Sequence, residues 1–192
     1  MKIIAFTKYD SQGASSRMRF EQYIKRFNKS EINVLIAPLI TNEMLEFKYK
    51  KGAYAFGAVI RAYVKRILAM VTIYRYDLVW IEKEALPWCP LWLENFLLKG
   101  SKYVLDYDDA TFHDYDLHRL KIVRFLFNKR IDGLMKRSML VVAGNSYLAK
   151  KALNSGAKNV SIIPTVIDID RYKVLSSKKN NHTNYLPCIV WI

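Results

Sequence analysis

The sequence predicts an α/β fold built on a parallel, doubly wound sheet of Rossmann-like type, and three observations carry that prediction. Short apolar, strand-like runs alternate along the chain with segments of helical periodicity. Several of the runs are almost wholly apolar, as strands covered on both faces must be. Polar residues gather where the runs end, at Thr7 and Lys8, Glu82 and Glu84, Asp106 to Asp109, Asn145 and Thr165. In open parallel sheets the carboxyl ends of the strands line the ligand crevice, so these residues are expected to share one surface.

The first strand is Lys2–Thr7, followed by the polar loop Lys8–Gly13. A helix then starts at Ser15 or Ser16, either of which can cap it, and Phe20, Tyr23, Ile24 and Phe27 give it a buried stripe. Arg17 and Arg19 occupy its first turn, the wrong sign for the positive end of a helix dipole. Two accounts of them stand side by side. In one the arginines are solvated, at a cost of about a few tenths of a kcal/mol. In the other they join the free backbone N–H groups in attracting a phosphate or carboxylate, which Gly13 allows close to the backbone.

Asn33–Pro38 is the second strand, and residues 41–52 are polar, with Lys48, Lys50 and Lys51 clustered. The long helix beyond carries Phe56, Ile60, Tyr63, Ile67, Val71 and Tyr74 on one face, with Arg61, Lys65 and Arg75 off it. That stripe reads first as core. A basic amphipathic element resting on anionic lipid is the alternative. Asp77–Glu82 is the third strand; Pro87 and Pro90 then turn the chain before a helix at Leu91–Lys99 that Gly100 ends. The fourth strand, Tyr103–Asp106, leads into an acidic turn. One helix is predicted over residues 117–136, burying Leu120, Val123, Phe127, Ile131 and Leu134 and exposing Lys121, Arg124, Lys129, Arg130 and Lys136. A fifth strand at Leu140–Ala143, a short helix capped by Asn145 or Ser146 and closed at Gly156, and a sixth strand at Val160–Pro164 complete the alternation. Residues 173–186 read as a polar linker and Pro187–Ile192 as a further core strand.

At 192 residues the chain can bury one good core, whereas two full domains would be a squeeze. Its 52% hydrophobic content excludes disorder for most of its length. A net charge of +14 implies an anionic partner: nucleic acid, a phosphate-bearing metabolite or an anionic membrane surface. Cys89 and Cys188 make neither a disulfide framework nor a metal motif, which fits thiols in a reducing cytosol. No signal-peptide core follows Met1, and Arg61, Lys65 and Arg66 interrupt the longest apolar segment. A cytoplasmic location, peripheral at most to the inner face of the membrane, is expected.

The stretch that most invites chemistry is Lys102–His113. Asp106, Asp108 and Asp109 crowd behind a buried strand, with His113 just beyond. Carboxylates so placed destabilise a fold unless hydrogen bonds, cations or a ligand compensate. Asp106-x-Asp108 could be a metal pair like that of dehalogenase-type phosphatases. Those, however, place the motif after the first strand and carry Thr or Val where this chain has Ala110. For His113 the bland alternative is a loop histidine bonded to a neighbouring carboxylate. Neither Gly-x-Gly-x-x-Gly nor a P-loop occurs, which argues against a standard dinucleotide dehydrogenase or nucleotidase.

The opening strand and loop Lys2–Gly13, the strand Asp77–Glu82, the acidic turn Asp106–Asp109, Val141–Ser146 and the segment Ile162–Tyr172 together resemble the N-terminal half of a family 4, GT-B-type retaining glycosyltransferase. Val190–Ile192 is similar to the first strand of that family's second domain. The resemblance spans the whole chain and rests on order and spacing rather than on any single motif. It implies the N-terminal half of a GT-B architecture: an acceptor-side domain over residues 1–172, a linker over 173–186, and the start of a second domain at 187–192. It also implies transfer of a sugar from a nucleotide-sugar donor to a glycan or lipid-linked acceptor, with no obligatory metal and no other cofactor. Asp108, Asp109 and His113 would then help orient sugar hydroxyls, with a backbone carbonyl or carboxylate there stabilising positive charge in an oxocarbenium-like transition state. Gly13 would approach the donor phosphates or the transferred sugar. Arg17, Arg19, Glu82, Asn145 and Ser146 would complete the substrate-binding surface.

The family's paired glutamates seven residues apart, and the basic residues that hold the donor phosphates, belong to the second domain and are missing after Ile192. Catalysis is therefore expected to need a donor-binding domain, whether continuous with this chain or supplied as a separate one. The competing expectation is a non-catalytic basic domain that binds an anionic glycan, a lipid headgroup or nucleic acid. Basic residues spread over several helices, without a base-stacking motif, speak against nucleic acid.

Overall fold

The computed structural model describes residues 1–28 and 30–168. The expected linker at 173–186, the strand at 187–192, Cys188 and the segment 169–172 lie outside the described residues. Strand β1 (Lys2–Tyr9) leads through α1 (Ala14–Ser16), a π-helical turn (Arg17–Glu21) and α2 (Gln22–Asn28) to β2 (Asn33–Ile40). Helices α3 (Asn42–Lys51) and α4 (Phe56–Val71) precede β3 (Leu78–Glu82), and α5 (Leu91–Leu97) precedes β4 (Tyr103–Tyr107). Then come α6 (His113–Asp116), α7 (Lys121–Phe127), α8 (Arg130–Arg137), β5 (Leu140–Ala143), α9 (Ser146–Asn154) and β6 (Val160–Ile162).

Among the described residues the six strands are all parallel, in the order β2-β1-β3-β4-β5-β6, which makes the Rossmann-like α/β sheet that the alternation predicts. The order contains one switch point. The chain leaves β1 toward β2, and every later crossover runs the other way. Because parallel crossovers are right-handed, α1 and α2 lie on one face of the sheet, and α4, α5, α8 and α9 on the other. Packing agrees: α4 meets α5, α5 meets α8, and α8 meets α9. The larger core fills that side, with Ile4, Phe6, Ile81, Leu105 and Val141 of the strands under Met70, Leu98, Leu134 and Leu148. Each such fully buried side chain contributes about 1.5–3 kcal/mol relative to exposure. On the opposite face Trp80 packs against Phe20 and Phe27, with ring centroids 4.4 and 6.0 Å away.

Two helical expectations are corrected. Phe56, Ile60 and Val71 of α4, and Tyr74 in the 3-10 turn Ile73–Arg75 just after it, are exposed rather than buried, and the covered side of α4 runs through Tyr63, Arg66, Ile67 and Met70. Arg66 turns inward because its guanidinium donates to the carbonyls of Thr7 in β1 (2.7 Å), Ala37 in β2 (2.9 Å) and Ala85 in the turn after β3 (3.2 Å). It also lies over the Phe6 ring at 4.7 Å. Helical spacing alone could not choose between the two edges of the stripe. The helix expected over 117–136 is two helices, α7 and α8, and its burial is partly inverted. Leu120 is exposed, while Arg130 is buried and ion-paired with Glu84 and Glu94. The polar stretch at 41–52 folds as α3, capped by Thr41 Oγ1 accepting from the Met44 N–H and closed by Gly52 at φ 79°.

Candidate functional site

The switch point brings the loops after β1 and β3 side by side, and the loops after β4 and β5 complete the same edge. Ser15 and Ser16 do not cap the first helix, whose N-cap position is Gly13. Both serines reach across instead. Ser15 Oγ donates to Asp108 Oδ2 at 2.5 Å, and Ser16 Oγ donates to Glu82 Oε2 at 2.6 Å. Glu82 is buried, also accepts the Lys8 N–H at 2.8 Å, and has a second oxygen, Oε1, buried without a hydrogen-bond partner. A Cβ on Gly13 would fall 2.2 Å from Tyr9 Cβ, so the close approach this glycine permits is to the Tyr9 side chain. Arg17 donates from Nη1 to the Ser11 carbonyl at 3.4 Å.

Each carboxylate of the acidic turn meets an internal cation. Glu82 and Asp106 are register partners on adjacent strands, a like-charge pair that destabilises unless neutralised. Arg19 neutralises the Asp106 member, while Ser16 and the Lys8 N–H hold Glu82: Arg19 Nε donates to Asp106 Oδ1 at 2.8 Å, and Nη1 donates to the Ile163 carbonyl at 2.6 Å. Arg19 thus holds a carboxylate of its own chain and is buried, which corrects the solvated reading. Burial raises the Asp106 carboxyl to about 6 against the pull of Arg19. The pair forms the polar end of a cavity of about 210 Å³ lined also by Tyr23, Phe27, Trp80, Val142 and Ile163.

Asp108 and Asp109 share Lys83, whose Nζ lies 3.0 Å from Asp108 Oδ1 and 2.7 Å from Asp109 Oδ2. Burial alone would lower the Lys83 ammonium, but the two aspartates outweigh it and raise it. Burial would raise Asp108, but Lys83 and Ser15 prevail and hold it below its ordinary value, so it stays ionised. Lys83 adopts φ +64°, a left-handed conformation that a residue with a side chain rarely takes. Its N–H donates to the Asp106 carbonyl at 2.9 Å, and its own carbonyl accepts from Tyr107 Oη at 2.6 Å. Together these bonds aim the ammonium under the turn.

His113 stands at the start of α6, with Nδ1 2.8 Å from Asp116 Oδ1 and Nε2 2.8 Å from Tyr147 Oη. Its carboxylate neighbour is therefore Asp116, as the bland reading has it, while Tyr147 ties it to the first turn of α9. Asn145, rather than Ser146, caps α9 by accepting the Leu148 N–H at 3.0 Å, and Asn145 and Ser146 are both exposed. Gly144 keeps the two loops together: its N–H donates to the Tyr107 carbonyl at 2.7 Å, and a Cβ there would sit 3.2 Å from Asp108 Cα.

The structure thus joins Ser15, Lys83, Asp108 and Asp109 directly, and links His113 to the Asn145–Tyr147 turn. It turns Arg19 beneath them toward Asp106. Lys83, Ser15 and Tyr147 are functional candidates that sequence reading missed. The triplet Glu82-Lys83-Glu84 at a strand end was the available signal for the lysine. Among the described residues no three His, Cys, Asp or Glu side chains converge on a point that could hold a metal ion. No family model matches the chain, and no curated protein matches it.

Proposed function

We propose that the described residues form the acceptor-side wall of a sugar-transfer site, in a two-lobed retaining glycosyltransferase that uses a nucleotide-sugar donor and a glycan or lipid-linked acceptor. The observation that carries the reading is the half-open carboxylate pair at the switch point. Lys83, 5% exposed, anchors Asp108 and Asp109 from below, while the Asp109 side chain is 62% exposed above it. Carboxylate oxygens fixed in this way accept hydrogen bonds from neighbouring sugar hydroxyls and favour positive charge developing on a sugar ring. His113, Tyr147 and Asn145 supply further polar groups along the same edge. Arg19 is committed to Asp106, so the donor phosphates fall to a second lobe, continuous with this chain or separate from it. The reading invokes neither a metal nor nucleic acid.

Saturation-transfer difference NMR on the full chain, with a panel of neutral and anionic oligosaccharides, tests this. Saturation of at least one sugar class is expected, and Asp109→Asn and His113→Ala should each reduce it about tenfold. No contact with any sugar, or contact that both substitutions leave unchanged, overturns the reading. Contact confined to anionic glycans and abolished by salt would favour the plain basic binding domain instead.

A further inference from the structure

The helices on the far side of the sheet from α2 present an outer surface that their own packing does not explain. On α4, Ile60, Val64 and Leu68 stand one turn apart and are exposed, opposite the side that buries Arg66 and Met70. On α5, Trp92 and Phe96 are likewise one turn apart and exposed, the latter at 70%. On α7, Phe125 is 79% exposed, with Ile122 and Leu126 beside it. Single exposed apolar residues need no explanation, but repeated rows of them mark a docking surface. The three helices converge on the 85–90 turn. Tyr63 of α4 donates from Oη to the Pro87 carbonyl at 2.8 Å, Trp88 packs on Phe127 of α7, and α5 begins directly after Pro90.

We infer that this face docks on the surface of an anionic lipid bilayer. Charge is what selects the occupant. Arg61 and Lys65 flank the apolar row of α4, and Lys121 and Arg124 that of α7, while neither helix contains an acidic residue. The acidic residue of α5, Glu94, is fully buried against Arg130. A second copy of the chain is a poor fit, since a two-fold contact would set these cationic rims against themselves. An anionic headgroup layer over hydrocarbon complements both parts of the surface at once. Among the described residues no helix is long and apolar enough to cross a membrane, so the contact is one of lying on the bilayer. The inference stands independently of the sugar-transfer reading, because it uses none of the residues at the strand ends.

Co-sedimentation of the full chain with phosphatidylcholine vesicles, with and without phosphatidylglycerol, tests it. Binding to the anionic vesicles is expected, together with its loss at high salt. The paired substitution Leu68→Ser/Phe125→Ser keeps the net charge and should weaken binding about tenfold or more. Arg61→Glu/Lys65→Glu should do the same through the rim. All four positions lie on the surface, and unchanged melting curves confirm that the variants fold. Three outcomes overturn the inference. The first is no binding to anionic vesicles. The second is binding indifferent to the apolar pair, which would be general adsorption of a basic protein. The third is a concentration-dependent oligomer that the apolar pair abolishes, which would assign the face to protein contact.

Discussion

Lys83 and Glu84 are neighbours in sequence and end in opposite surroundings. Lys83 turns toward Asp108 and Asp109 at an edge open to solvent. Glu84 turns into the helical layer, where it accepts from Tyr115 Oη at 2.7 Å and from Arg130 Nε at 3.1 Å. Arg130 also pairs with Glu94, and it and Glu94 are almost wholly buried. In this closed cluster nearly every charge is used to shape the turn after β3. Glu94 accepts the Ala85 N–H, Arg130 donates to the Leu86 carbonyl, and Tyr115 Oη accepts the Trp88 N–H. The open cluster leaves Asp109 oxygens facing water. Two ion-pair networks a residue apart thus serve different ends, one holding a loop and the other presenting a surface.

Arg130→Met should produce the largest effect that separates them. It strands two buried glutamates, and a loss of about 3–5 kcal/mol is expected in chemical denaturation. Lys83→Met should cost less, about 1–3 kcal/mol, because water reaches Asp109 and part of Asp108 once the cation is gone. Equal losses would break the comparison and make the open cluster structural as well. The smallest effect is a pH slope. Burial, opposed by Arg130, raises Glu84 to about 7, above the ordinary carboxylate value. The folded state therefore holds that proton more tightly than the unfolded chain. The associated stability is fully present below the ordinary carboxylate pKa and is lost as pH rises through about 7. Glu84→Gln should flatten the decline in melting temperature between about pH 5 and 8 relative to the parent chain. An unchanged slope would place the titrating group elsewhere.

Much of the candidate site is legible in the sequence. Asp108, Asp109, Glu82 and Asn145 were placed together because strand ends in a parallel sheet share an edge, and the switch point between β1 and β3 lies there. The demand for something to neutralise the acidic turn was also readable, but its source was not. Lys83 reaches the turn only through a left-handed backbone conformation and a bond from Tyr107. For Arg19 the sequence leaves a solvated arginine and an anion ligand side by side, because its partner, Asp106, lies 87 residues away. Ser15 and Ser16 looked like caps because that is the local use of a serine before a helix, whereas carboxylates from distant strands claim them here.

By itself the sequence determined the strands, most of the helices and the parallel architecture, since these follow from short continuous apolar runs alternating with 3.6-residue periodicity, signals that act within a few residues. It also determined that a concentrated acidic turn and an unusually basic chain had to be reconciled. Tertiary structure alone decided which charge meets which. It put Arg66 and Arg130 inside, Leu120 and the apolar row of α4 outside, and Lys83 beneath Asp108 and Asp109. The physical reason is that a buried charge takes whichever partner the register of distant strands delivers, and no local pattern encodes that register.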